Sequence, residues 1–294
     1  GNSSLTNYDV YLKIQDDLNE SFSAMGNLDV SGENSNLDLD LNFKDFILNP
    51  LNPFGGGVIT NIKGKVSGTS KISGRLQKPQ INGQLILDKA GISLPYLNLD
   101  YIFEDNTKVK LERQSFVFEA ANILDSSFSS KAILSGKLNH VNFANWSMDT
   151  RIDSERLLVL NTEETEESLY YGTAFVAGNI DISGPMNQLY IEANVTTSKG
   201  TIFKIPLNDS EMISENSYVK FLSPEEKIQK STDRTIKLDD IKGLDMEFNM
   251  DVTDDAEIEI VIDRETGSSI LGRGNGSILA PVSYTHLTLP TKQD

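Results

Sequence analysis

Apolar and polar residues alternate along much of this chain. From 37 to 43, Leu37, Leu39, Leu41 and Phe43 alternate with Asp38, Asp40 and Asn42. Successive side chains of a β-strand point to opposite faces, so this run predicts a strand with one apolar and one polar face. Val10, Leu12 and Ile14 set the same period near the start. Met246, Phe248, Met250 and Val252, then Ile258, Ile260 and Ile262, set it near the end. Between them, strands are expected at 97–101, 109–111, 116–118 and 132–138, with Glu104-Asp105-Asn106 as a turn between the first two.

One pattern occurs twice. Gly68 to Gly74 (GTSKISG) is followed by Pro79 and by Gln80 to Leu87 (QINGQLIL). Gly178 to Gly184 (GNIDISG) is followed by Pro185 and by Gln188 to Ala193 (QLYIEA). Repeated units of this kind build a long sheet with a continuous apolar side. At about 10–13 residues per strand and turn, ~280 residues make roughly 22–28 strands. The prediction is an all-β protein: a long, repetitive, curled sheet forming a trough, with a few short helices.

Non-strand signals are few. Residues 49–57 hold Pro50, Pro53 and Gly55-Gly56-Gly57 and predict a loop or a break between segments. The acidic run from Thr162 to Tyr170 predicts short helical turns. Ser223-Pro224-Glu225-Glu226 is a capping box that predicts a short helix near 224–230, and another turn is expected over 209–216. The chain begins at Gly1 without Met and reads as a fragment. Its last residues, 282–294, resemble the translation of a sequencing adapter, which leaves 1–281 as the segment to interpret.

Composition narrows the function. The chain has 294 residues, 38% of them hydrophobic, and a net charge of −17. No basic stripe is present to neutralise phosphates, which excludes nucleic acid as the expected partner. The charge also disfavours docking on an anionic leaflet. There is no Cys, so disulfides, Cys-ligated zinc and thiol catalysis are excluded. No apolar run approaches the roughly 20 residues of a membrane-spanning helix.

Candidate chemistry is thin. Outside the last 13 residues the only histidine is His140, at a strand end, and no Ser–His or Cys–His arrangement accompanies it. It reads as a surface or structural residue. Glu163/Glu164, Glu166/Glu167 and Asp254/Asp255 lack the spacing of a calcium loop and read as solvated charge. Gly272-Arg273-Gly274-Asn275-Gly276 lacks the Lys-Ser/Thr ending of a phosphate loop and reads as flat or tightly curved strand. No catalytic residue, metal site or cofactor is expected. The apolar faces remain, and periodicity alone leaves two arrangements open: a closed core between two sheets, or an open groove.

Five stretches bear on that choice. They are Gly91 to Tyr101 (GISLPYLNLDY), Arg156 to Leu160 (RLLVL), Tyr170 to Phe175 (YYGTAF), Phe203 to Asn208 (FKIPLN) and Phe221 to Lys227 (FLSPEEK). In this order, and with the glycines of 272–276, they resemble the AsmA-like TamB family of the translocation and assembly module, especially its Bacteroidetes-like members. The resemblance implies a non-enzymatic protein of the Gram-negative envelope. It implies an inner-membrane anchor at the N-terminal end of the intact chain, and an outer-membrane barrel of the Omp85 type (TamA- or BamA-like) that the last strands meet.

The resemblance further implies a trough that carries phospholipid acyl chains across the periplasm. The residues expected to line it are Leu37, Leu39, Leu41, Phe43, Ile72, Leu85, Leu87, Val109, Leu111, Ile180, Ile182, Phe248 and Ile260, and Leu87→Arg is the natural probe of passage. The alternative is an assembly factor that guides outer-membrane or autotransporter strands by strand addition. A third reading is a closed-core structural sheet that binds no lipid.

Overall fold

The computed structural model describes residues 6–16, 19–55, 59–165, 170–206, 220–222, 244–263 and 267–284. The chain is all-β. Its strands are β1 (Asn7–Asp16), β2 (Asn19–Asp29), β3 (Asn36–Ile47), β4 (Thr60–Arg75), β5 (Gln80–Leu94), β6 (Leu99–Phe103), β7 (Thr107–Arg113), β8 (Ser115–Asp125) and β9 (Lys131–Val141). Then follow β10 (Ala144–Thr162), β11 (Tyr171–Pro185), β12 (Leu189–Thr197), β13 (Ile202–Pro206), β14 (Lys220–Leu222), β15 (Leu244–Val252), β16 (Glu257–Asp263), β17 (Ser268–Gly272) and β18 (Gly276–Tyr284). Among the described residues there are 18, and β4, β5, β10 and β11 run for 15 to 19 residues each, longer than the sequence spacing suggests.

The helical segments among the described residues are three 3-10 turns, Gly32–Asn34, Asn49–Gly55 and Pro95–Leu97. The turns expected from Thr162 are absent from the described part of that stretch: β10 continues through Thr162, and Glu163 to Thr165 form no helix. The turn predicted at 209–216 and the helix predicted near 224–230 lie outside the described residues, as do 285–294. Arg273-Gly274-Asn275 links β17 to β18 and is not strand, which corrects the reading of that segment.

The chain divides into two compact units. Unit 1 takes residues 1–95, 100–129 and 133–150, and unit 2 takes 96–99, 130–132 and 151–294. The 3-10 turn at 49–55 lies within unit 1.

In unit 1, β1 to β5, β7 and β8 pair antiparallel in succession. β8 also pairs antiparallel with β6, so β6 and β7 form one strand line, interrupted at Glu104–Asn106 and resumed in the same direction. The expected turn is present, with the Thr107 N–H donating to Glu104 O at 3.2 Å, but the strand line resumes in the same direction beyond it. Asn106 takes φ +66°, its N–H donates to Leu87 O at 3.0 Å, and Asp105 Oδ1 accepts the Lys89 N–H at 3.1 Å.

Unit 2 is mixed. β11 pairs antiparallel with β12 and with β13, while β12–β15 and β13–β16 are parallel. Here too a strand line breaks and resumes, at 198–201 and alongside it at 253–256. Thr253 N–H donates to Thr197 Oγ1 at 2.9 Å and Glu257 N–H to Thr201 O at 3.0 Å, so the two breaks satisfy each other's backbone.

The repeated pattern is the same hairpin twice. Gly68 pairs with Leu85 and Ile72 with Ile81; Gly178 pairs with Val195 and Ile182 with Ile191. The turn bonds match as well, Lys78 N–H to Arg75 O at 2.9 Å and Gln188 N–H to Pro185 O at 2.8 Å.

Candidate apolar trough

The pairing registers place the alternating apolar residues in rows across unit 1. One row runs Ile14, Phe22, Phe43, Gly68, Leu85, Val109. The next runs Leu12, Ala24, Leu41, Ser70, Gly83, Leu111, Phe116. A third contains Gly26, Leu39, Ile72 and Ile81. Strand alternation puts all three rows on one face, and that face holds the core: Leu41, Leu85, Leu87, Val109 and Leu111 are buried, with Leu39, Phe43 and Ile72 packed against them. Leu37 is buried in its own row, opposite Leu28 and Gly74.

That face lines an open recess of about 270 Å³ whose lining side chains are all apolar. Ile14 of β1 and Phe22 of β2 line one side, and Leu111 of β7 and Phe116 of β8 line the other. Phe43, Phe46, Ile72, Ile81 and Leu85 lie between them along the wall. Six hydrogen-bonded ladders separate β1 from β8, roughly 29 Å on a flat sheet at about 4.8 Å each. A cavity of this size touches both ends only because the sheet of unit 1 curls onto its apolar face.

Aromatic side chains shape the wall. Phe22, Phe43 and Phe46 form a triad with centroids 4.9, 5.9 and 6.1 Å apart, and Phe103 stacks on Phe118 at 5.8 Å. At one end the β9–β10 turn folds over. Asn142 Nδ2 donates to Gln77 O at 2.6 Å, and Gln114 Nε2 donates to Pro79 O at 3.3 Å and Asn142 Oδ1 at 3.4 Å. These bonds tie three hairpin ends together and bring Phe143 onto the cavity wall. Asn142, Phe143 and Asn145 all adopt positive φ to make that turn.

His140 belongs to this end. It is at the strand end expected from sequence, and it is buried at 3% exposure and not on the surface. Its Nδ1 accepts the Phe143 N–H at 3.0 Å, and its ring packs on Phe143, Trp146 and Phe116 at 4.5, 4.9 and 5.9 Å. Burial lowers its pKa. Sequence reading missed this aromatic cluster, because Phe116, His140, Phe143 and Trp146 come from separate strands and a turn with no shared period.

Ser70 is the polar exception in the inner rows. It is buried between Leu41 and Gly83, and its hydroxyl has no hydrogen-bond partner among the described residues. The opposite face is wet. Lys71 pairs with Asp38 at 2.7 Å and Lys13 with Glu20 at 2.8 Å. Each hydrogen bond raises its lysine's pKa, and Lys13 lowers that of Glu20.

The expected lining residues of unit 2 form a separate set. Ile180, Ala193 and Phe248 make one row across β11, β12 and β15, and Ile180 and Phe248 pack on buried Val176, Ala193 and Val195. Ile182 sits opposite Ile191, and Ile260 opposite Ile205 and Ile270; both are half-buried. No helix among the described residues is long and apolar enough to cross a membrane.

Residues 121–279, more than half the chain, match the family model of the TamB C-terminal domain. No curated protein and no solved structure matches the chain.

Proposed function

The chain belongs to the TamB family, whose role lies in the cell envelope, and from that premise we propose that it conducts phospholipid acyl chains along its apolar sheet face. The work is non-enzymatic. Headgroups stay in water while the chains slide over the rows that contain Leu41, Phe43, Ile72 and Leu85, and over the Ile180–Phe248 row of unit 2. In the intact protein this segment stands in the periplasm, between an inner-membrane anchor and an Omp85-type outer-membrane barrel.

One observation carries the reading: an open recess of about 270 Å³ lined by apolar side chains from β1 to β8 and by Phe143 of the β9–β10 turn. A methylene needs about the ~30 Å³ share of a water, so roughly nine carbons fit that one recess. Exposing a 16-carbon chain to water costs about 12 kcal/mol at about 0.8 kcal/mol per CH₂, and an apolar path removes most of that barrier.

The test is native mass spectrometry of the chain purified from a periplasm. Bound phospholipid that is lost in Phe46→Arg and Ile72→Arg supports the conduit. A folded, lipid-free protein overturns it and returns the assignment to strand guiding.

A further inference from the structure

Two buried N–H groups stand without an acceptor beside the unit 1 cavity. The Phe143 N–H donates to His140 Nδ1, so the neutral ring carries its proton on Nε2 and that atom is a donor. Trp146 Nε1 is a donor by nature. Both nitrogens are buried, and neither meets a partner among the described residues. Their rings lie 4.9 Å apart, and Phe116 packs on both at 5.9 and 5.6 Å. Phe116 and Phe143 are themselves cavity wall. Buried donors are rarely left unpaired, because losing water without gaining a partner destabilises the fold. Two of them on neighbouring rings call for an acceptor oxygen.

We propose that His140 Nε2–H and Trp146 Nε1–H form a binding site for the carbonyl oxygen of a neutral ester whose hydrocarbon chain occupies the adjoining cavity. This rests on the reading that the cavity takes an acyl chain. A neutral carbonyl fits better than a carboxylate. Burial is what shifts the His140 titration, no cation among the described residues contributes to it, and a buried carboxylate needs a cation. An ester oxygen at the end of a chain is also where a glycerolipid changes from apolar to polar. The site would hold a lipid in register at this end of the trough, where sliding contacts alone have no preferred position.

The chain has a single Trp, so the indole N–H gives one resonance in a ¹H–¹⁵N spectrum. Titrations of the whole chain with methyl dodecanoate, dodecane and dodecanoate, with affinities from calorimetry, test the site. The ester is expected to bind about tenfold more tightly than dodecane, to move the indole N–H downfield, and to lose that advantage in Trp146→Phe and His140→Phe. Equal affinities for ester and dodecane in the wild-type chain, with an unmoved indole resonance, overturn the site and leave the acyl-chain reading standing. Tighter binding of dodecanoate than of the ester overturns the assignment to a neutral carbonyl. Failure of both ester and dodecane to bind overturns the acyl-chain reading together with the site. The wild-type comparison needs no variant, so a misfolded mutant does not decide the outcome.

Discussion

Gly68 stands directly opposite Leu85 in the β4–β5 ladder at φ +145°, and a Cβ there would lie 2.3 Å from the Gln84 carbonyl oxygen. Gly178 repeats the relationship opposite Val195, at φ +131° and 2.4 Å from Asn194 O. Backbone occupies the space in both cases and cannot swing aside as a flexible side chain would. Gly68→Ala and Gly178→Ala are each expected to destabilise the fold by about 2–4 kcal/mol. At Gly274 nothing lies within 4 Å of an added Cβ, and Gly274→Ala should stay within about 0.5 kcal/mol. Urea midpoints of the three variants check this; equal midpoints would refute the role of the backbone contact.

Position along the inner face decides how a substitution acts. Leu87 and Leu111 are 8% and 2% exposed and sit in the core, outside and inside the cavity wall respectively. Leu111→Ala should cost about 2–5 kcal/mol by removing buried methyl groups and enlarging the recess they line. Leu87→Arg would bury an unpaired charge and unfold unit 1, so it is a poor probe of passage. Phe46 and Ile72 are half-buried and line the cavity, so arginine there can reach water along its stem. The expected outcome is loss of bound lipid with a circular-dichroism melt close to wild type. A melt as low as that of Leu87→Arg would refute the distinction.

Unit 2 supplies a polar counterpart. Thr201 is 3% exposed; its Oγ1 accepts the buried Phe175 N–H at 3.0 Å and donates to Ser198 O at 2.7 Å. Thr201→Val keeps the shape and removes the hydroxyl that accepts the Phe175 N–H, at a cost of about 1–3 kcal/mol. Thr201→Ser keeps the hydroxyl and should recover most of it. Denaturant midpoints at unchanged slope are the measurement, and a Val variant as stable as wild type would show that the bond contributes nothing.

The strands were legible because their period is local. Leu37 to Phe43 declares one apolar face in seven residues, and the pairing register only joins it to rows from β2 and β4. The repeat was legible because two glycines six positions apart impose the same Gly68–Leu85 and Gly178–Val195 pairing. The curl was legible only as an expectation, since which strands share a cavity depends on accumulated coiling, to which no single strand testifies. The turn at 104–106 was legible as a turn, but not the direction the chain takes after it. Whether the chain reverses there depends on β8 pairing with both β6 and β7. The cluster around His140 was invisible for a related reason: its rings meet through side-chain reach from β8, β9, β10 and the turn at Phe143.

That cluster makes the stability of unit 1 depend on pH. His140 titrates below its ordinary value of 6.5 because it is buried. Below pH 6.5 the unfolded chain therefore binds more protons at this site than the folded one. Its contribution to stability is complete above 6.5 and is lost as pH falls through the lowered, folded-state value. Protonation also turns Nδ1 into a donor, which breaks the bond from the Phe143 N–H and loosens the turn that places Phe143 on the cavity wall. Trp146 reports the event, since its ring lies 4.9 Å from the imidazole and it is the only tryptophan. Its fluorescence should change reversibly as pH is lowered from 7.5 to about 5, and unit 1 should lose stability in step. His140→Phe removes the titrating group, and the fluorescence of that variant should be flat over the same range. A flat wild-type signal would refute the pH dependence of this cluster, and a variant that keeps a wild-type pH profile would place the sensitivity in the carboxylates of the wet face instead.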